Sequence, residues 1–266
     1  MRVGAIDESA TLGRSWLHET SPKAKLVAFA LLLAAVVVTW NLLVVFALLI
    51  ALVAVVMSAG LRPRLAYGLA AYPAVFALVF ALSSAPSVVT GAVIVLKAVT
   101  AALAAVVVIL TTPYPYVFAP LQRVVPGIVG DALLMTYRST FLLLEKLSNL
   151  LRAVRLRSGL RFGHPIRAAQ ATTRSLGALL LYSLDLARRD YDVMRLRGYS
   201  GRLRVTPPKS ASPVRDAALV ATAAVLLATS GVWRVAADAL NPYSWLPTLS
   251  ALILLAVAIV ARWRTT

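Results

Sequence analysis

The chain has no cysteine among its 266 residues. This absence excludes disulfide bonds, metal sites with thiolate ligands and a thiol nucleophile. Histidine is scarce too: His18 and His164 are isolated among charged or turn-forming residues, where an imidazole is more often solvated than a ligand. A Gly-x-x-x-x-Gly-Lys-Ser/Thr loop is missing, so any ATP would have to be hydrolysed by a separate subunit. We therefore expect no metal site, no cofactor and no catalysis by this chain.

Acidic residues are also few, with 10 Asp and Glu against 27 Lys and Arg, which gives a net charge of +17. Such an excess can indicate nucleic-acid binding, but no motif that interleaves aromatic and basic residues accompanies it here. The chain is 60% apolar with a mean hydropathy of +0.83, and in membrane proteins basic residues usually mark loops beside anionic lipid. We therefore expect a membrane protein in contact with phospholipid and no nucleic-acid partner.

Six apolar runs are each close to the roughly 20 residues that a helix needs to cross a bilayer. Proline and small polar residues separate them, as at Asn241-Pro242. The first 20 residues lack an apolar core, so we expect the first run to be retained and not to be a cleaved signal. The pattern predicts an all-α integral membrane protein with about six transmembrane helices, at 24–40, 42–60, 65–83, 92–111, 216–233 and 245–261.

The distribution of basic residues predicts the orientation of these spans. With the N-terminus inside, Lys97 and Arg234 alone among the basic residues lie on the outer side, as expected when positive charge is retained in the cytoplasm. The protein is then a multi-pass protein of the cell membrane with both termini cytoplasmic. The predicted regions are a cytoplasmic segment 1–23, membrane helices 24–111, a cytoplasmic insert 112–215, membrane helices 216–261 and a tail 262–266.

The insert has the periodicity of amphipathic helices. Between Gly127 and Arg157 apolar residues recur every three or four positions, and Pro165 suits the first turn of a second helix. Gly198 is expected to end that helix, and the apolar segment 113–126 leaves two alternatives open, a further span or a short amphipathic helix in the membrane interface. The apolar stripe of the second helix is predicted at Leu176, Leu180, Leu184, Ala187, Tyr191 and Met194.

The two predicted helices end in nearly the same phrase, Arg155-Leu156-Arg157-Ser158 and Arg195-Leu196-Arg197-Gly198. A cation near a helix C-terminus commonly complements the helix dipole and contributes from a few tenths to about 1 kcal/mol. Repetition of the whole phrase favours a second interpretation, in which each guanidinium presents a rigid fork of donors to another protein. Two copies of the phrase suit a partner that is itself present in two copies.

These residues resemble the transmembrane coupling subunit of energy-coupling-factor transporters, the EcfT/CbiQ family. Its two cytoplasmic coupling helices end in Ala-Arg-Ser or Ala-Arg-Gly, and here Leu156 and Leu196 replace the alanines while the arginine and the small residue are kept. Ser21-Pro22-Lys23-Ala24-Lys25 resembles the family's Asp-Pro-Arg-x-Lys entry to its first span. Arg138 and Glu145 resemble an Arg-Phe-Ile-Pro…Glu stretch of the family, without its proline.

The resemblance implies a coupling function without chemistry of its own. Such subunits join two ABC-type ATPases, which dock on the two arginine phrases, to a small substrate-binding membrane protein, the S component. Pro22, Lys23, Lys25, Arg138 and Glu145 would be positions of the family's structural motifs. The imported substrate would be a vitamin or a transition-metal ion, with cobalt, nickel, biotin and riboflavin all open.

Other functions stay open at the level of sequence: a self-contained secondary transporter, a membrane-embedded lipid-modifying enzyme, or a membrane scaffold without a transport role. The predicted spans contain no His and no internal Asp or Glu, since Asp216 is the first residue of its span, whereas intramembrane catalysis and ion-coupled transport usually need ionisable side chains inside the membrane. Lys97 is the one charge well inside a predicted span and is expected near its end. The aspartates 185, 190 and 192 alternate with arginines, which favours ion pairs over a metal site.

Overall fold

A computed structural model of the protein describes residues 10–11, 13, 15–121, 127–156, 165–199, 203 and 212–263. Within these ranges the regular structure is helical and no strand occurs, so the predicted all-α class is confirmed. The chain divides into two compact units. Residues up to Val117 and from Pro207 onward form the first unit, and Phe118–Thr206, which falls within the predicted insert, forms the second.

The main helices follow the predicted order along the chain. Short helical turns at Trp16–Glu19 and Ala237–Leu240 and a 3-10 turn at Asn241–Tyr243 add to them. The helix Tyr114–Leu121 crosses the boundary between the units, and the helices Gly127–Leu156 and Pro165–Leu196 lie in the second unit. The bounds are α1 Pro22–Val38, α2 Leu42–Ser58, α3 Pro63–Ser84, α4 Val88–Thr111, α5 Tyr114–Leu121, α6 Gly127–Leu156, α7 Pro165–Leu196, α8 Pro213–Val235 and α9 Trp245–Trp263.

Each of the six predicted apolar runs is a helix in the structure. Four of the described segments are long and apolar enough to cross a membrane, namely Pro63–Ser84, Val88–Thr111, Pro213–Val235 and Asn241–Val260. The helices α1 and α2 have 17 residues each, or about 26 Å of length at the helical rise. They are therefore somewhat shorter than the roughly 30 Å of a hydrocarbon core.

Local chemistry explains where these helices begin. The Ser21 Oγ accepts a hydrogen bond from the Ala24 N–H at 3.2 Å, and Pro22 occupies the first turn of α1, as predicted. The Asn41 side chain caps α2 by accepting from the Leu43 N–H at 2.9 Å. These caps satisfy backbone donors that the first helical turn leaves without a partner.

The start of α4 differs from the prediction. The Ser87 side chain caps this helix at Thr90, so α4 begins at Val88, four residues before the predicted run. Lys97 therefore lies nearer the middle of its helix than predicted. Its Nζ reaches back to the last turn of α1, where it donates to the Val37 carbonyl at 3.1 Å, and it lies 4.1 Å from the centre of the Trp40 ring.

The first unit packs α8 on α1, α9 on α2 and α3 on α4, with α4 also against α1 and α2. Leu48, Leu103 and Leu110 are fully buried in its core, and alanines at helix contacts allow backbones to approach closely. Polar contacts join the starts of α1 and α8: the Ser21 N–H donates to Asp216 Oδ1 at 2.9 Å. Close by, the Arg215 Nη1 pairs with Glu19 Oε2 at 2.7 Å.

Candidate partner-binding helix pair

The helices α6 and α7 form an antiparallel pair. Asp131, in the first turns of α6, contacts Tyr199, which follows the end of α7. Farther along, the Lys146 Nζ lies 4.8 Å from the centre of the Tyr182 ring. Residues later in α6 thus contact residues earlier in α7, so the two helices run in opposite directions. The C-terminus of each helix therefore lies beside the N-terminus of the other.

This arrangement separates the two arginine phrases. The helix α6 has 30 residues and is therefore about 45 Å long. Arg155-Leu156 ends α6 at one end of the pair, and Arg195-Leu196 ends α7 at the other, so the phrases lie about 40 Å apart along the pair. One partner bound at each end would thus contact a different phrase.

The described residues of both phrases face solvent. The side chains of Leu156 and Leu196 are 81% and 88% exposed, although leucine is normally shielded from water. Arg155, Arg195, Arg197 and Gly198 are exposed beside them. Arg157 and Ser158 lie outside the described residues. An apolar side chain among guanidinium groups at each helix end is the composition expected of a protein-binding tip, and we call these two ends the α6 tip and the α7 tip.

The α7 tip ends in a Schellman motif. Gly198 has a φ of 77°, a conformation that glycine adopts without steric cost. The Tyr199 N–H donates to the Met194 carbonyl and the Gly198 N–H to the Arg195 carbonyl, both at 3.0 Å. The predicted end of this helix at Gly198 is confirmed. The turn fixes the direction in which the chain leaves the helix, and with it the position of the α7 tip.

A buried carboxylate holds the chain just beyond this turn. Asp131, 6% exposed, accepts a hydrogen bond from the Tyr199 hydroxyl at 2.6 Å and another from the Leu203 N–H at 3.0 Å. The hydrogen bond to Asp131, together with desolvation, raises the pKa of Tyr199 above that of an ordinary phenol, which is already protonated at neutral pH. We call these three residues the clasp. It joins the α7 tip to the start of α6.

Sequence reasoning missed the clasp because its partners are 68 and 72 positions apart. Neither Asp131 nor Tyr199 belongs to a recognisable short motif. A weak signal exists, since an aspartate within an apolar stretch near a helix start needs a partner. Sequence alone does not say that the partner follows the second arginine phrase.

The apolar stripe of α7 is exposed. The predicted stripe residues Leu176, Leu180 and Leu184 are open to solvent, while the shielded side of the helix carries Ser175, Leu179 and Leu186. In α6, by contrast, the apolar residues Leu147 and Leu151, which are four positions apart, are half-buried. The pattern predicted an amphipathic α7 correctly, but its most apolar face is left available to another molecule.

The other predicted motif residues lie in two different places. Arg138 and Glu145 are exposed on α6, whereas Pro22 and Lys25 are buried and Lys23 is exposed at the start of α1 in the first unit. The Lys25 Nζ donates to the Thr111 carbonyl at 2.9 Å, which ties α1 to the end of α4. These contacts give Lys25 a role in helix packing.

One acidic residue of α7 forms an ion pair within the helix. Asp185 pairs with Arg189 one helical turn away, as the alternation of charges predicted. In the described part of the chain no three His, Asp or Glu side chains are grouped so that they could hold a metal ion.

Two glycines of this region are expected to respond in opposite ways to alanine. Gly198→Ala forces a side chain into a positive φ and should lower the free energy of unfolding by about 1 kcal/mol. Gly177→Ala, inside α7 with no atom within 4 Å of the added Cβ, should raise it by about 0.5–1 kcal/mol. Thermal unfolding of the purified protein measures both shifts. Equal shifts would show that the turn at Gly198 does not constrain the α7 tip.

Comparison with protein families shows which family the chain resembles. Residues 13–207 match the family CbiQ, described as cobalt transport protein. The matched range covers well over half of the chain and includes both tips and the clasp. No curated protein matches the chain.

Proposed function

The chain belongs to the CbiQ family of cobalt transport proteins, and from this premise we propose that it is the transmembrane coupling subunit of an energy-coupling-factor ABC importer. In this role it transmits the motion of two ATPase subunits to a small substrate-binding S component. The chain itself hydrolyses no ATP, and its N- and C-termini lie in the cytoplasm. The substrate is a transition-metal ion, for which the family description favours cobalt, or a vitamin.

The observation that carries the proposal is the position of the two tips. They end the two helices of an antiparallel pair, lie about 40 Å apart and expose Leu156 and Leu196. Two ATPases of a dimer could each hold one tip without sharing a surface. We assign Arg155, Leu156, Arg157 and Ser158 to one ATPase and Arg195, Leu196, Arg197 and Gly198 to the other.

The chemistry of the tips supports transmission of movement. A guanidinium offers several N–H donors in a fixed plane, and its hydrogen bonds to carboxylates or carbonyls are charge-assisted. The neighbouring leucine would fill an apolar pocket and exclude water from those bonds. When the ATPases close, each tip would follow its subunit, and the helices would move as rigid levers.

The exposed stripe of α7 supports a second contact. Leu176, Leu180 and Leu184 lie on one face of the helix and are half-exposed or more. Burial of such a face against apolar side chains is favourable, by about 25 cal/mol for each Å² removed from water. We assign this stripe to the S component, so that movement of α7 reaches the substrate-binding protein directly.

Affinity purification from the native membrane tests the proposal. Two ATPase chains and one small membrane protein should remain bound to this chain, and the substrate class would follow from the small protein. A solitary protein that transports a solute in vesicles without ATP would contradict the proposal and favour a secondary transporter. An associated activity on lipids in the purified chain would favour the enzyme alternative.

A further inference from the structure

The helices of the first unit end at two different heights on the side of Lys97. Two hydrogen bonds fix the register of α1 and α4: the Lys25 Nζ donates to the Thr111 carbonyl at 2.9 Å, and the Lys97 Nζ donates to the Val37 carbonyl at 3.1 Å. Lys97 is thus level with the last turn of α1. The start of α4, at Val88, lies nine residues before Lys97, which corresponds to about 13 Å along the helix.

The helices α2, α8 and α9 meet α1 at the lower of these heights. The Arg234 Nη1, near the end of α8, donates to the Val38 carbonyl at 3.0 Å, and the Asn41 Nδ2 donates to Asn241 Oδ1 at 2.7 Å. The turn between α1 and α2 is therefore level with the turn between α8 and α9. We call the level of Asn41, Arg234 and Asn241 the lower edge, and the turn between α3 and α4, residues 85–87, the upper edge.

The lengths of the helices give a similar difference in height. The helices α1 and α2 have 17 residues each, or about 26 Å, and the uncharged part of α8 at 217–233 is equally long. The helices α3 and α4 have 22 and 24 residues, or about 33 and 36 Å. The upper edge therefore stands on the order of 10 Å beyond the lower edge.

The lower edge has the chemistry of a membrane surface. Lys97 lies 4.1 Å from the centre of the Trp40 ring, and Trp40 and Tyr243 are 59% and 55% exposed. Aromatic and basic side chains of this kind are typical of the boundary between headgroups and hydrocarbon. The backbone also turns here, and turns exposed to lipid do not occur inside the hydrocarbon core. The lower edge therefore belongs among polar headgroups.

The parts of α3 and α4 beyond the lower edge are apolar. Residues 65–96 include no charged residue and no histidine. The side chains of Phe76, Phe80, Leu82 and Val88 are all more than half exposed, and that of Val88 is 91% exposed. Contact of so many adjacent apolar side chains with water is unfavourable. These turns therefore belong in hydrocarbon, at a height where the neighbouring lower edge needs headgroups.

We propose that the first unit holds the bilayer at two thicknesses. Acyl chains cover α3 and α4 up to the upper edge, and phospholipid headgroups are drawn inward to the lower edge beside α1 and α8. A bilayer adapts to a short apolar stretch by local thinning at modest cost. The contacts of Lys97 and Arg234 with the end of α1 keep the lower edge at its height. The thinning is a property of the first unit and does not depend on ATPase coupling.

The absence of cysteine allows the surroundings of single positions to be measured. Phe76 lies eight residues, or about 12 Å, before the end of α3 and is close to the height of the lower edge. Phe76→Cys and Trp40→Cys each receive a nitroxide label in vesicles of phosphatidylcholine and phosphatidylglycerol. Oxygen, which concentrates in hydrocarbon, should dominate collisions at Phe76→Cys, and a water-soluble nickel chelate should dominate at Trp40→Cys. The apparent depths should differ by on the order of 10 Å.

Tyr243→Cys repeats the measurement at the lower edge without removing the ring that Lys97 contacts, and thermal unfolding checks each variant. Hydrocarbon at all three positions would overturn the proposal, because the bilayer would then be flat at the upper edge. Nickel contact at all three would also overturn it, because α3 and α4 would then project into water. Protection of Phe76→Cys from both reagents would overturn it in favour of a partner chain on this face.

Discussion

Reversing the charge of both tips, with Arg157→Glu and Arg197→Glu in one chain, is expected to abolish association with the ATPases and substrate uptake. A carboxylate at each tip replaces a donor with an acceptor and leaves the groups that the arginine faced without partners. Loss of one buried charged contact in an interface typically costs about 2–5 kcal/mol, so two losses should reduce the affinity more than a thousandfold. Co-purification of the ATPases and uptake by intact cells measure the effect.

The control for this variant has the same change of charge elsewhere on the same helices. Arg152→Glu with Arg188→Glu alters two exposed arginines that lie one helical turn before the α6 tip and about two turns before the α7 tip. This chain should insert into the membrane, bind both ATPases and support uptake nearly as well as the wild type. Retained association and uptake in the tip variant would contradict the role assigned to the arginines. Equal loss in both variants would indicate a general effect of charge.

Asp131→Ala is expected to have the second large effect, because it removes the acceptor of the clasp. The Tyr199 hydroxyl and the Leu203 N–H both lose their partner, and a buried donor left unsatisfied costs about 1–3 kcal/mol. The α7 tip would then no longer be held to the start of α6. We expect a lower unfolding temperature and ATP hydrolysis that no longer drives uptake.

Tyr199→Phe is the matched control for the clasp. It removes one of the two hydrogen bonds and keeps the ring, so its effects should have the same direction and a smaller size. The ratio of substrate imported to ATP hydrolysed separates a positioning role from simple loss of stability. Misfolded protein lowers import and hydrolysis together and leaves their ratio unchanged, whereas loss of positioning lowers the ratio. An unchanged ratio and unfolding temperature in Asp131→Ala would show that the clasp does not position the α7 tip.

Features set by neighbouring residues were predictable from the sequence. The apolar runs, the cap at Ser21 with Pro22, and the end of α7 at Gly198 each depend on a few consecutive positions, and the structure contains all of them. The predicted start of α4 at residue 92 is four residues too late, because the Ser87 side chain caps the helix and α4 begins at Val88.

Features that depend on distant residues were not predictable. The contact of Asp131 with Tyr199 and the antiparallel order of α6 and α7 require the fold. The period of three to four residues gives α7 an apolar face, but it does not say whether α6 covers that face.

The absence of cysteine gives a direct test of the central claim, that the two tips hold two ATPases. Leu156→Cys and Leu196→Cys would introduce the sole thiols of the chain at exposed positions, and Leu181→Cys, 70% exposed on α7, serves as control. With a thiol-to-amine cross-linker, each single tip variant should join to one ATPase, and the double variant should carry two ATPases on one chain. Failure of the double variant to carry a second ATPase, or equal cross-linking through Leu181→Cys, would contradict the account.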